Sequence, residues 1–262
     1  MTDLVMNINP KSMFSEAIKT IRTNLAFSFF DKELTTILIT SPEAGDGKSF
    51  ISANLAVAYA QENKRVLMID CDLRKGRQHE IFRVNNSTLN GYSNLILNYG
   101  KETDLNEYIM DTGIKNVDII PTGPMPPNPI ELLNSENNAK ILKSLKKDYD
   151  IIILDCPPVV GLSDTLVLTK HSDANIVVVS NKKTKVENLD RTKKTFEQIG
   201  SKITGVVINK ASTKDNSYYG YYCNDYYYYD ENGNKGKKKT TKKKSSSTSY
   251  KKKNKKDSSE II

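Results

Sequence analysis

Cysteine is nearly absent: the chain of 262 residues holds three, Cys71, Cys156 and Cys223. They form no CxxC pair and no disulfide framework, which excludes a stapled scaffold and fits a reducing cytosol. Long apolar runs are missing too. No stretch approaches the roughly 18 residues of a membrane-spanning helix, so any membrane association is expected to be peripheral or through a partner. The opening MTDLVMNINP does not read as a signal peptide. Surplus positive charge is scarce in the part able to fold. Of the net +8, residues 215–262 supply +6, from 12 Lys against 6 acidic residues, leaving +2 for the first 214. The basic character therefore belongs to the C-terminal stretch, and no specific nucleic-acid surface is expected. Aliphatic residues are scarce after Gly220 until Ile261, so that stretch cannot repay its ordering entropy. The expected organisation is one domain over residues 1–213 and a flexible tail over 214–262.

Tyrosine is what the tail has. Tyr218, Tyr219, Tyr221, Tyr222, Tyr226, Tyr227, Tyr228 and Tyr229 lie among Gly, Asn and Asp. A core strand would mix Tyr with Val, Ile or Leu. Phenol hydroxyls gathered in a polar tail suit a substrate. The Lys/Ser stretch 235–256 has two readings, a solvated tail or a contact for anionic lipid and acidic partners.

The folded part alternates apolar strands (36–40, 66–69, 117–120, 151–154, 175–180 and 204–209) with helical patterns at 49–62, 130–147, 164–171 and 186–199. Several strands are continuous aliphatic runs, as expected where both faces are covered. The alternation predicts a doubly wound, mostly parallel α/β sheet flanked by helices. Gly200 stands where a helix would end. A further helix is expected over 13–29, with Ile18, Ile21 and Leu25 on its apolar face and Glu16, Lys19 and Arg22 on another. The Pro-rich run 121–129 reads as a stiff connection.

The central constellation is SPEAGDGKS at 41–49, directly after a strand and opening a helix. That is the context a phosphate-binding loop requires. Gly45 and Gly47 admit close approach of phosphate oxygens, and the amides around Asp46 and Phe50 add positive potential at the helix N-terminus. Lys48 would reach the β- and γ-phosphates and Ser49 would bind Mg²⁺. Pro42 stands where the usual pattern has its first glycine. Two other strands end in carboxylates, one in Asp70-Cys71-Asp72-Leu73-Arg74 and one in Asp155. Ligands of open α/β sheets bind beyond such strand ends, and Mg²⁺ carried with ATP would neutralise the clustered acids.

These motifs resemble the bacterial tyrosine kinases of capsule and exopolysaccharide loci, a branch of the P-loop NTPase class that includes MinD and ParA. Residues 41–49 resemble Walker A, IIILD ending at Asp155 resembles Walker B, and VLMIDCDLR at 66–74 resembles the additional Walker A′ motif. The lysine characteristic of the partitioning ATPases would fall at Glu43. Glu16-x-x-Lys19-x-x-Arg22 is similar to the family's oligomerisation motif, with Lys in place of its first Arg, and PPNPIELL at 126–133 also matches.

The resemblance implies transfer of the ATP γ-phosphoryl group to tyrosine, with the terminal cluster as autophosphorylation region, in trans within a ring homo-oligomer. It implies Asp70 as base or metal contact, with Asp72, Asp155 and Ser49 ordering Mg²⁺. Asn209 is similar to an adenine-contacting Asn, though a strand-end Asn needs no ligand. Arg74 either steadies phosphate or forms a structural ion pair. The implied partners are the cytoplasmic end of a transmembrane chain-length regulator and a cognate tyrosine phosphatase. The implied location is the inner face of the membrane. Rival readings are a membrane-recruited positioning ATPase and a non-catalytic ATP-dependent scaffold.

Overall fold

A computed structural model describes residues 4–84, 90–100 and 102–211; the tyrosine cluster and the Lys/Ser stretch lie outside them. The chain opens with helices α1 (Val5–Ile8) and α2 (Met13–Ser28), then strand β1 (Thr36–Thr40) and helix α3 (Lys48–Ala60). Next come β2 (Val66–Asp70), α4 (Gln78–Phe82), α5 (Tyr92–Asn98), β3 (Met110–Ile114) and β4 (Val117–Ile120). After these follow α6 (Pro129–Leu133), α7 (Glu136–Leu145), β5 (Ile151–Asp155), α8 (Asp164–Leu168), β6 (Ala174–Ser180), α9 (Val186–Gln198) and β7 (Gly205–Asn209).

The seven strands form one sheet in the order β3-β4-β2-β5-β1-β6-β7. All neighbouring pairs are parallel except β3 with β4. Strands β1, β2, β5 and β6 are buried along their whole length, which explains their unbroken aliphatic sequences. Their two-residue period sorts the side chains into two layers. Ile37, Ile39, Val66, Met68, Ile151 and Ile153 meet α2 and α3, through Ile18, Leu25 and Leu55 among others. Leu38, Leu67, Ile69, Ile152 and Leu154 meet the other face, with Tyr92, Leu95, Ile141 and Leu142. Each such fully buried Leu or Ile contributes about 1.5–3 kcal/mol.

Three local outcomes refine the sequence reading. The helix expected over 130–147 is broken: Ser135 starts a second helix, its Oγ accepting from the Asn138 N–H at 3.3 Å. That side-chain cap competes with continuation of the helix. Strand β3 was not expected, because Met110–Ile114 lies half-exposed at the sheet edge with an irregular register. Gly200 does close α9, with Gly200 N–H donating to the Glu197 carbonyl and Ser201 N–H to that of Phe196, each at 3.0 Å.

The strand order reverses at β1. From β1 the chain moves to β2 on one side, and later crosses from β5 to β6 on the other. A crevice beyond the carboxyl ends of β1, β2 and β5 is the binding place such a reversal makes.

Candidate active site

Residues 41–47 turn from the end of β1 into α3. Gly47 sits at the helix start with φ 102°, a left-handed value that disfavours any side chain. A Cβ there would also lie 2.0 Å from Nδ2 of Asn209. The first intrahelical bond of α3 joins Ile51 N–H to the Gly47 carbonyl at 3.0 Å. The N–H groups of Lys48, Ser49 and Phe50 precede it, so none has a partner within the helix. Three amides beside Gly45 and Gly47 thus make an anion-binding helix start.

The loop is braced from outside. Asp46 is fully buried. Its Oδ2 accepts from Glu43 N–H at 3.0 Å and its Oδ1 from Thr184 Oγ1 at 2.8 Å. The Asp46 side chain therefore shapes the loop and leaves its amide for a ligand. Glu43 accepts from Asn188 on α9. Asn209, at the end of β7, donates from Nδ2 to the Asp46 carbonyl at 2.9 Å, and Lys210 Nζ donates to the Gly45 carbonyl at 2.7 Å. The ring of Phe50 packs on Phe14 of α2, with centroids 4.8 Å apart, so Phe50 has its amide to offer and not its ring.

Strands β2 and β5 set Asp70 directly beside Asp155 in register. Asp70 and Asp155 are fully buried, and Asp72 nearly so. Lys48 reaches across to them: its Nζ lies 3.0 Å from Asp72 Oδ2, 3.5 Å from Asp155 Oδ1 and 3.2 Å from Ser49 Oγ. Burial alone pulls the lysine pKa down. The charges of Asp155, Asp72 and Asp70 together outweigh that and hold it above its ordinary value. The pKa of Asp70 is raised too, which for a carboxylate disfavours the charged form. Burial, then repulsion from Asp155, push its pKa up to about 8, against the opposing Gln78 N–H and Lys48.

Three carboxylates around one ammonium leave negative charge for a further cation. Among the described residues no three Asp, Glu, His or Cys side chains converge as a finished metal cage. That suits Mg²⁺, which binds through one or two carboxylates, waters and substrate phosphates. Asp70, Asp72, Asp155 and the Ser49 hydroxyl would hold it, next to the amides that would hold the phosphates.

Gln78, which the sequence did not single out, stands at the centre of this cluster. Its N–H donates to Asp70 Oδ2 at 2.9 Å, and its Nε2 to Asp155 Oδ2 at 2.8 Å and to the Ser49 carbonyl at 3.0 Å. It is reached because the chain from Cys71 to Arg77 folds back tightly over Asp70. A Cβ on Gly76 would lie 2.6 Å from Asp70 Oδ2 and 2.1 Å from Thr122 Cγ2. Arg74 forms the structural pair: its Nε and Nη2 meet the two oxygens of buried Asp164 at 2.6 and 3.1 Å. Cys71 and Cys156 are buried in the core, and burial raises the Cys71 thiol well above its usual range, as befits packing residues.

The N-terminal residues act on α3. Arg22 donates from Nη1 to the Ala58 carbonyl at 2.7 Å and pairs with Glu62. Lys19 bonds Glu16 at 2.7 Å and the Pro10 carbonyl at 3.0 Å, in the open. Within one chain, then, Arg22 ties α2 to the helix that starts at the phosphate loop, while Glu16 and Lys19 stay at the surface.

A strand–loop–helix with free amides, a buried lysine and carboxylates on the two neighbouring strands defines a phosphate-binding-loop nucleotide protein. The comparisons narrow this class. Residues 34–208 match the family described as AAA domain. The chain is 35% identical over 220 residues to tyrosine-protein kinase YwqD of Bacillus subtilis, covering 84% of this chain and 91% of that one. It is 38% identical to the putative tyrosine-protein kinase CapB of Staphylococcus aureus, covering 85% and 96%. Among solved structures, the chimerical protein CapA2B2 superposes with a TM-score of 0.75 at 36% identity, covering 80% of this chain and 91% of that one. The kinase domain of the Escherichia coli tyrosine kinase ETK follows at 0.73 and 32%, covering 80% and 82%. The chain belongs to the bacterial tyrosine-protein kinases.

Proposed function

We propose that this kinase transfers the γ-phosphoryl group of ATP to its own tyrosines at 218–229, in trans within a ring of identical chains, and thereby tunes polysaccharide polymerisation or export. The observation that carries the reading is the convergence of Asp70, Asp72 and Asp155 on Lys48 at the mouth of an anion-binding helix. The amides of residues 45–50 would hold the phosphates, and Asn209 would meet the base. In the transfer the bond between tyrosine oxygen and Pγ forms and the bond from Pγ to the bridging oxygen of ADP breaks. A carboxylate takes the phenol proton; Asp70, beside Asp155 at the strand ends, is the candidate. Mg²⁺, when bound, supplies charge neutralisation on the transferring group. Lys48 adds a fixed positive charge to the same oxygens.

The tail would deliver its tyrosines to such a site. It leaves the described residues after Ala211, beside Lys210, which touches Gly45 of the loop. From residue 212 to Tyr227 a flexible chain would span about 20–23 Å, comparable with a small domain's radius. The oligomerisation motif at Glu16, Lys19 and Arg22 favours the neighbour. The proposed partners are the cytoplasmic end of a transmembrane chain-length regulator, which would hold the kinase at the inner membrane face, and a cognate phosphatase.

Two mixtures test this. Full-length protein with Mg·ATP and an activator fragment is expected to gain phosphotyrosine. Phosphate release without phosphotyrosine would instead support a positioning ATPase, and neither signal a scaffold. Lys48→Met protein with an intact tail, mixed with active protein lacking residues 214–262, is expected to become phosphorylated. No transfer sinks the trans arrangement.

A further inference from the structure

Gln78 is fully buried, yet its amide oxygen Oε1 has no hydrogen-bond partner. The orientation of this amide is fixed by chemistry. Its Nε2 faces the Asp155 carboxylate and the Ser49 carbonyl, and a main-chain carbonyl can only accept. Turning the amide over would set oxygen against oxygen at both contacts. Oε1 is therefore an acceptor left waiting, one amide width from the nitrogen that holds Asp155. Buried acceptors without partners are rare and mark strain, function or a missing ligand.

The neighbourhood identifies the missing donor. Within this one residue's reach lie Asp70 Oδ2 and Asp155 Oδ2, two of the groups that would surround a divalent cation, and the main chain of Ser49, whose hydroxyl is a third. Such a cation keeps several waters. A water whose lone pair is engaged by a metal offers only its protons, which is what an unpaired amide oxygen requires. No side chain of the described residues supplies a donor there.

We propose that Gln78 is the positioning residue of the metal–nucleotide site: it fixes both strand-end carboxylates through its two nitrogens and accepts a hydrogen bond from a water carried on the divalent cation. This rests on the magnesium-dependent nucleotide site of the proposed function. Outer-shell partners of this kind carry about 10–100-fold in metal affinity. An apolar replacement should therefore weaken the gain in nucleotide affinity that Mg²⁺ provides, while sparing the contacts made by the loop amides.

The test is titration of the full-length chain with fluorescent ADP, in Mg²⁺ and in EDTA, for the native protein, Gln78→Leu and Gln78→Met. The methionine variant keeps the length and volume of the side chain, so packing is retained if the leucine variant misfolds. The quantity read is the ratio of the two dissociation constants. It should fall about 10-fold in the variants, with the EDTA value within about twofold of native. An unchanged ratio overturns the proposal. So does an equal loss of affinity in both buffers, which would make Gln78 a packing residue. If the native protein itself shows no gain from Mg²⁺, the site reading fails, and this is distinguishable from failure of Gln78 alone.

Discussion

Asp70 carries an energetic cost that the metal-free protein cannot avoid. Its pKa lies near 8 because burial and Asp155 both oppose ionisation. An acid whose folded pKa exceeds its unfolded value stabilises the fold fully below the unfolded value, near 3.8. That contribution is lost as pH rises through the folded value. In EDTA, unfolding midpoints are thus expected to fall as pH rises from about 4 to 8, the window set by those two pKa values. Asp70→Asn should flatten the slope, and Mg²⁺ with nucleotide should do the same for the native chain. A native slope equal to that of Asp70→Asn would remove Asp70 as its source. Gly47 gives a steric counterpart. Gly47→Ala adds strain of about 1–3 kcal/mol at a positive φ. It also drives a methyl into the Asn209 amide. Nucleotide affinity measured by calorimetry should drop at least about 10-fold, the equivalent of 1.4 kcal/mol. Asp70, Asp155 and Lys48 were legible in the sequence because strand ends and the glycine-rich loop announce them. Gln78 was not, since its place depends on a turn that folds back over Asp70, and nothing in its local pattern encodes that.

At the scale of elements, α2 carries a buried contact and an exposed pair that mutation can separate. Arg22 bonds the Ala58 carbonyl and Glu62 from a mostly buried position. Arg22→Ala should cost about 1–3 kcal/mol of chain stability through that lost charge-assisted contact. Glu16 and Lys19 form an exposed pair, worth less than about 1 kcal/mol. If the motif also joins neighbouring chains, Glu16→Ala should lower the mass seen by light scattering while leaving the urea midpoint nearly unchanged. Unchanged mass would confine the motif to the α2–α3 contact. The strands were read closely: β1 falls where its aliphatic run lies, because burial on both faces demands apolar side chains, and β4 falls where expected although Asp118 interrupts its run. Edge strand β3 had no such demand. The break between α6 and α7 depended on one serine hydroxyl capping a new helix instead of facing solvent.

Over the whole molecule, the proposed regulation would run through charge. The tail segment 215–262 holds +6. Each phosphotyrosine adds about −1.5 to −2, so about five or more phosphates reverse its sign. Crowded anionic tails would repel one another, and multiply phosphorylated protein is expected to scatter as a smaller species than unphosphorylated protein. Equal masses would contradict this switch, and added salt should weaken the effect by screening. The central claim, that buried carboxylates and Lys48 serve tyrosine substrates carried by copies of this chain, meets its most direct test in intact and peptide mass spectrometry. Full-length protein incubated with Mg·ATP and the activator fragment should gain successive phosphates within residues 218–229, and Lys48→Met alone should gain none. ATP turnover with no phosphate on those tyrosines would contradict the account.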